Sequence, residues 1–181
     1  MGWHDAATKM RLMSKSKKTP HAATPALKLL EEAGIPHKVA IFEGGTDHFG
    51  DTAAAELGID ADRVFKTLVV DLTAGKGAKR ELAVCVLPVS HKLSLKKAAA
   101  AFGAAKATMA DPQDASKSSG YIPGGISPLG QKHVLPTAID ETAVLFDTIF
   151  FSGGRRGLDI EMNAEDLAKV LDITFTDLVA Q

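Results

Sequence analysis

The segment Gly124-Gly125-Ile126-Ser127-Pro128-Leu129-Gly130 puts three glycines and a proline into seven residues. Such a stretch can continue neither a helix nor an inner strand. With so little side-chain cover its backbone can come close to a ligand. Its N–H groups can turn toward an anion or a carbonyl oxygen. A second such segment is Ser152-Gly153-Gly154-Arg155-Arg156-Gly157, and a third is Gly44-Gly45-Thr46-Asp47-His48-Phe49-Gly50. A single glycine loop reads by default as an ordinary turn. Three of them predict a ligand cleft walled largely by backbone, with ordinary turns as the alternative.

At 181 residues the chain is the size of one domain and can bury a substantial core. A hydrophobic content of 45 % with 24 % charged residues fits a soluble globular class. No apolar run approaches the ~20 residues of a membrane span, so no membrane partner is expected. No apolar stretch with a small-residue cleavage site marks a secretory leader. The single cysteine, Cys85, excludes an internal disulfide and predicts a cytoplasmic location. A net charge of −1 means that a nucleic-acid partner would need a local basic patch. Lys9, Arg11, Lys15, Lys17 and Lys18 lie in a stretch without apolar periodicity. Residues 1–20 therefore read as a disordered basic arm and residues 21–181 as the folded domain.

Local signals outline the elements. Thr24-Pro25 opens a helix with Leu27, Leu29, Leu30 and Ala33 on its apolar face and Gly34 as its stop. Strands are expected at His37–Phe42, at Val64–Leu72 and, as the hairpin partner of the latter, at Glu81–Leu87. Asp51 caps an alanine-rich helix ending at Gly58. Ser94 caps another, with Leu95, Ala98, Ala99 and Phe102 inward and Gly103 as stop. Asp111-Pro112 begins a further short helix. Val134, Leu135, Ile139 and the run Val144–Phe151 read as strand, and Leu158–Met162 as a half-exposed strand. Asn163 caps a closing amphipathic helix through Leu171, and Phe175–Val179 follows it. Helices and strands interleave without a βαβ repeat. The expected fold is α+β, a single domain with a mixed, mostly antiparallel sheet and helices packed around it.

No G-x-S-x-G elbow, H-E-x-x-H, P-loop or G-x-G-x-x-G occurs. His4, His21, His37, His48, His91 and His133 are scattered without metal-ligand spacing, so no metal is expected. Cys85 sits in the apolar run Ala83-Val84-Cys85-Val86-Leu87 and reads as a buried structural thiol. Lys66 stands apart from this inventory. It lies near the start of an apolar strand, where its ammonium could reach into a cleft and hold a phosphate or an oxyanion. An exposed lysine at a strand start is the alternative.

Four motifs stand together in order and spacing: Phe49-Gly50-Asp51, Val64-Phe65-Lys66-Thr67-Leu68, Gly124–Lys132 and Ser152–Glu161. In them the chain resembles the YbaK-type Cys-tRNA(Pro) deacylases, relatives of the editing insertion domain of bacterial prolyl-tRNA synthetase. The resemblance runs from about Thr24 to the C-terminus. It implies that fold and an aminoacyl-tRNA deacylase that uses no cofactor. The implied substrate is the acceptor end of tRNA(Pro) carrying cysteine, with prolyl-tRNA synthetase as a transient partner.

The resemblance also implies roles. Lys66 falls on the family's essential lysine. Thr67, Gly124, Gly125, Ile126, Ser127, Pro128 and Gly153 would border the substrate, with backbone N–H groups of 124–127 helping Lys66 at the oxyanion. Ser152 and Asp159 would orient the α-amino group, and Phe42 and Phe49 would wall the side-chain pocket. Phe42 stands where a well-known member carries tyrosine, a departure that removes a hydroxyl. No protein nucleophile is implied, because the substrate thiol would attack its own ester carbonyl and leave as a thiolactone. Cysteine and proline are close in volume, and one methylene is worth only ~1–3 kcal/mol of discrimination, so a second hydrolytic site is useful. Two further readings remain at this point: a deacylase for alanine or serine on tRNA, and a non-catalytic module binding aminoacyl-tRNA or a small metabolite.

Overall fold

The structure is a computed structural model that describes residues 23–43, 49–73 and 80–181, with residues 49–51 described by their backbone. The proposed N-terminal arm, loop residues 44–48 and the turn 74–79 lie outside the described residues.

Helix α1 (Pro25–Ala33) starts and stops where its capping residues dictate. Thr24 accepts the Leu27 N–H, Pro25 occupies the first turn, and Gly34 closes the helix at φ 66°. Its buried face is Ala26, Leu27 and Leu30, with Leu29 half-buried. Ala33, expected inward, is exposed at the last turn. Strand β1 (Lys38–Ile41) follows. Helix α2 (Phe49–Leu57) begins two residues before the expected Asp51 cap, so Gly50 and Asp51 belong to its first turn. Gly58 ends it in the left-handed region.

A 3-10 turn at Ala61–Arg63 leads into β2 (Phe65–Asp71), which pairs antiparallel with β3 (Leu82–Pro88) as the expected hairpin. Helix α3 (Leu95–Ala101) is capped by Ser94, whose oxygen accepts the Lys97 N–H. It buries Ala98 and Ala99, whereas Leu95, expected inward, is 37 % exposed. The short β4 (Thr108–Met109) and helix α4 (Pro112–Ser119) come next, α4 being capped by Asp111.

The remaining elements are β5 (Thr137–Asp140), β6 (Ile149–Arg155), β7 (Leu158–Met162) and β8 (Ile173–Thr176). Three sequence expectations are corrected here. Val134 and Leu135 are not strand, since Val134 stands 77 % exposed in the approach to β5. Val144 and Leu145 belong to a 3-10 helix (Glu141–Leu145), so β6 starts only at Ile149. The closing helix after Asn163 is also 3-10, Ala164–Lys169. Residues 163–172 carry the chain from one sheet to the other, and a 3-10 helix advances ~2.0 Å per residue against ~1.5 Å for an α-helix.

The strands divide between two sheets. One is β1-β7-β6, antiparallel throughout. The other is β4-β2-β3-β5-β8, antiparallel on the β4-β2-β3 side and parallel from β3 to β8. A parallel bridge between Val64 and Phe150 joins them where β2 meets β6. The main core gathers Leu27, Leu30, Phe65, Val86, Leu129, Ile139, Phe151 and Ile160. A second cluster seats Ala98 and Ala99 of α3 on Val70, Cys85 and Leu178. A third sets Ala53, Ala54 and Leu57 of α2 against Ala40, Val64 and Phe150. Alanine at the contact lets a helix lie close to the sheet. Fully buried Phe150 and Phe151 each contribute ~1.5–3 kcal/mol of transfer free energy.

This layering overturns one more expectation. β7 is the central strand of its sheet, with the main core on one side and the α2 cluster on the other. It is therefore buried on both faces and not half-exposed: Leu158, Asp159, Ile160 and Met162 are all buried.

Candidate active site

Strand pairing brings four of the residues singled out in the sequence to one face. Ser152 on β6 stands opposite Asp159 on β7, and Asp159 opposite Ala40 on β1. Lys66 and Ser152 each lie two residues beyond the Val64–Phe150 bridge. The two-residue strand period returns them to the face occupied by Val64 and Phe150. Phe42, two residues beyond Ala40, packs against that same cluster, and its N–H donates to the Gly157 carbonyl at 2.9 Å. Lys66, Ser152, Asp159 and Phe42 thus share one face, with α2 packed beside them.

Lys66 is half-buried, and its Nζ donates to the main-chain carbonyl of His91 at 2.6 Å. That bond tethers the end of a long side chain. An ammonium carries three donors, so the tether is compatible with a further acceptor. Thr67, the next residue, points to the opposite face. Its Oγ1 is buried without a hydrogen-bond partner among the described residues. The strand period therefore separates Thr67 from Lys66 and the pair Ser152 and Asp159. Phe49 opens α2, and its side chain lies outside what is described.

Asp159 is 6 % exposed, and burial alone pushes its carboxyl up to about 7. A group so placed gains much by pairing with a cation, since ionisation in a desolvated site is otherwise costly.

The glycine loops form a frame of backbone against backbone. A Cβ on Gly125 would stand 3.1 Å from Arg155 Cα and 3.1 Å from Arg156 N, so the first two loops touch there directly. A Cβ on Gly130 would meet the Pro25 carbonyl carbon at 2.5 Å, which seats the end of the first loop on the first turn of α1. Gly153 lies over Leu158 and Gly154 over the Tyr121 ring. Gly124 takes φ 83°, closing a turn in which the Gly125 N–H donates to Ile122 O at 2.9 Å. The Gly125 N–H is thus committed within the loop, a correction to the expectation that it faces an oxyanion. Ser127 is fully buried, and its Oγ accepts the Leu129 N–H at 3.3 Å. Ile126 is half-buried between Gly125 and Ser127. Pro128 borders a cavity of about 410 Å³ with Lys28, Leu29, Gln131 and Val134. None of the lining residues of that cavity belongs to the Lys66 face.

Two supports escaped the sequence reading. Thr24 Oγ1 donates to the Gly153 carbonyl at 2.5 Å, and the Tyr121 hydroxyl donates to the Leu129 carbonyl at 2.8 Å. Burial raises the Tyr121 phenol to about 12, so it stays a donor. Tyr121 is the single tyrosine of the chain and adjoins the first glycine loop, which is the signal that could have marked it. Cys85 is fully buried between Ala83, Ala98 and Leu178, and burial raises its thiol to about 12. Among the described residues no cluster of His, Cys, Asp or Glu is arranged to hold a metal ion. No helix among them is long and apolar enough to cross a membrane.

The α+β domain, with a lysine and a buried acid on one sheet face, can be set beside proteins of similar sequence and fold. Residues 48–170 match the aminoacyl-tRNA editing domain, and the chain belongs to that family. It is 35 % identical over 167 residues to the Enterococcus faecalis protein EbsC, which carries the name of a Cys-tRNA(Pro)/Cys-tRNA(Cys) deacylase. That match covers 92 % of this chain and 99 % of EbsC. A second relative is a proline–tRNA ligase of Shouchella clausii, 34 % identical over 113 residues, which are 62 % of this chain and 18 % of the ligase. Among solved structures, one described as a trans-editing enzyme for prolyl-tRNA synthetase superposes with a TM-score of 0.73 at 22 % identity. It covers 91 % of this chain and 100 % of its own. The hypothetical protein APE2540 superposes with a TM-score of 0.76 at 19 % identity, covering 87 % of this chain and 100 % of its own. These two structures carry the fold alone.

Proposed function

We propose that this protein edits in trans, deacylating tRNA(Pro) mischarged with cysteine that prolyl-tRNA synthetase transiently presents. The observation that carries the reading is the single face holding Lys66 together with Ser152 and Asp159. The name of EbsC and the shared domain with a proline–tRNA ligase support the substrate class. The α-ammonium of the bound amino acid pairs with Asp159, whose ionisation that cation favours, and Ser152 sits across the strand pair to take a second N–H. Phe42 borders the small side chain.

The substrate supplies the nucleophile. Its sulfur bonds to the ester carbonyl carbon, the carbon–oxygen bond to the ribose breaks, and the thiol proton ends on the ribose hydroxyl. A thiolactone departs and water later opens it. Lys66 meets the oxyanion as charge develops there. The protein contributes alignment of sulfur and carbonyl, which alone can lower a barrier by several kcal/mol.

The test is a panel of tRNA(Pro) charged with Cys, Ser or Ala. Serine is nearly isosteric with cysteine but its hydroxyl is a far weaker nucleophile at neutral pH. Fast release of Cys with slow release of Ser and Ala is expected. Equal rates for Ser and Cys at saturation would replace thiol attack by an ordered water.

A further inference from the structure

The chain has a net charge of −1, yet it contains no Asp or Glu between Asp114 and Asp140, nor between Asp147 and Asp159. Those two stretches hold Lys117, Lys132, His133, Arg155 and Arg156, all exposed. The fold brings the two stretches together. The Lys132 N–H donates to Ser119 O and the His133 N–H to Ser118 O, each at 2.9 Å, which places both residues beside Lys117 at the end of α4. A Cβ on Gly120 would lie 3.4 Å from Lys132 Cβ. Arg156 Nε donates to Pro123 O at 3.0 Å, and the Arg155 backbone touches Gly125.

The result is a basic ridge that begins three residues past Ser152, at Arg155, and continues past the first glycine loop to Lys132 and Lys117. The carbonyl oxygens at the end of α4 would repel a phosphate. Here those of Ser118 and Ser119 are covered by the N–H groups of His133 and Lys132. Asp114, the nearest acid in sequence, is engaged by Arg80 at 3.3 Å.

We propose that this ridge is the surface that binds RNA, its Lys117, Lys132, Arg155 and Arg156 side chains following the phosphodiester backbone of the acceptor stem away from the ester. The assignment rests on the deacylase reading for its choice of RNA. A local basic ridge on a chain of nearly zero net charge gives orientation as well as attraction, because phosphate contacts fix register without reading bases. Lys96 and Lys106, exposed elsewhere, serve as a control of equal charge.

The experiment compares wild type with K117Q/K132Q and with K96Q/K106Q. Anisotropy measures binding of an uncharged acceptor-stem RNA hairpin at several salt concentrations. Kinetics measure deacylation of Cys-tRNA(Pro) and of a cysteinyl ester of adenosine, which lacks the stem. For K117Q/K132Q the hairpin Kd should rise at least tenfold. Its log–log salt slope should flatten by ~0.7–0.9 for each phosphate that is no longer neutralised. KM for the tRNA should rise with kcat unchanged, and the short ester should be cleaved as by wild type. K96Q/K106Q should match wild type throughout. Hairpin binding that is unaltered in K117Q/K132Q, or lowered equally in both double variants, overturns the ridge. Ridge-dependent hairpin binding by a protein that cleaves neither ester keeps the ridge and removes the deacylase reading.

Discussion

Thr24 Oγ1 hydrogen-bonds the carbonyl oxygen of Gly153 at 2.5 Å across 129 residues of sequence, while accepting the Leu27 N–H as the cap of α1. One hydroxyl thus anchors both the first helix and the loop that follows Ser152. Thr24→Val keeps the shape but loses both bonds and leaves a buried carbonyl unpaired. It should cost ~1–3 kcal/mol of stability. Thr24→Ser should restore most of that loss in urea denaturation.

Lys66→Ala should abolish deacylation of Cys-tRNA(Pro) in a protein that remains folded. Loss of one oxyanion donor costs ~2.7–4 kcal/mol of barrier, or a ~10²–10³-fold fall in rate. Single-turnover kinetics with a circular dichroism control measure it. Near-wild-type turnover removes Lys66 from the reaction.

Asp159 makes stability depend on pH in a definite direction. Its carboxyl is raised to about 7 in the folded protein, against ~3.9 in an unfolded chain. Between those values the native state holds a proton that the unfolded state has released. Stability must therefore decline as pH rises from ~4 to ~7 and change no further above that from this group. At about 1.4 kcal/mol per pKa unit the effect amounts to several kcal/mol. Asp159→Asn should flatten the profile over that window while raising KM for the aminoacyl substrate. Thermal denaturation from pH ~4 to pH ~8 compares the two proteins, and parallel profiles would count against a buried protonated carboxyl.

Cys85→Ala should retain full deacylation, because that thiol lies in the core beside Ala98 and Leu178. In the wild-type protein, alkylation by iodoacetamide should be slow under native conditions and fast in denaturant, as burial holds the thiol protonated. Loss of activity in a folded Cys85→Ala variant would reveal a nucleophile at that site.

Gly125→Val should lower activity and stability together. The added methyl groups enter a contact already at 3.1 Å from the Arg155–Arg156 backbone, where overpacking typically costs ~1–3 kcal/mol. Gly125→Ala asks those backbones to give by a few tenths of an ångström and should show the same two losses in smaller measure. Wild-type behaviour of both variants would mean that the loops can part without consequence.

What can be read from the sequence follows from how local each determinant is. Thr24, Pro25 and Gly34 act within a few residues, so α1 is legible at both ends. The β2–β3 hairpin is legible because branched residues run up to a polar turn. Residues whose setting is tertiary mislead. Asp159 looks like the outward member of an alternating strand, since nothing nearby announces that α2 covers that face. Val134 and Leu135 are apolar but approach β5 outside any sheet. Lys66 is singled out by its place at a strand start and by the motif around it. Its alignment with Ser152 depends on a bridge between Val64 and Phe150, which no local pattern encodes.

The contact of Gly125 with the Arg155–Arg156 backbone has a consequence for change over time. Loops held backbone to backbone keep their outline when side chains around them are replaced, because the atoms that set the outline are common to every amino acid. Half-buried neighbours of the frame such as Phe42, whose N–H donates to Gly157 O, can then change while the geometry of the frame is inherited intact. The cost falls on the glycines at the contact, such as Gly125, where a side chain would press on the facing backbone.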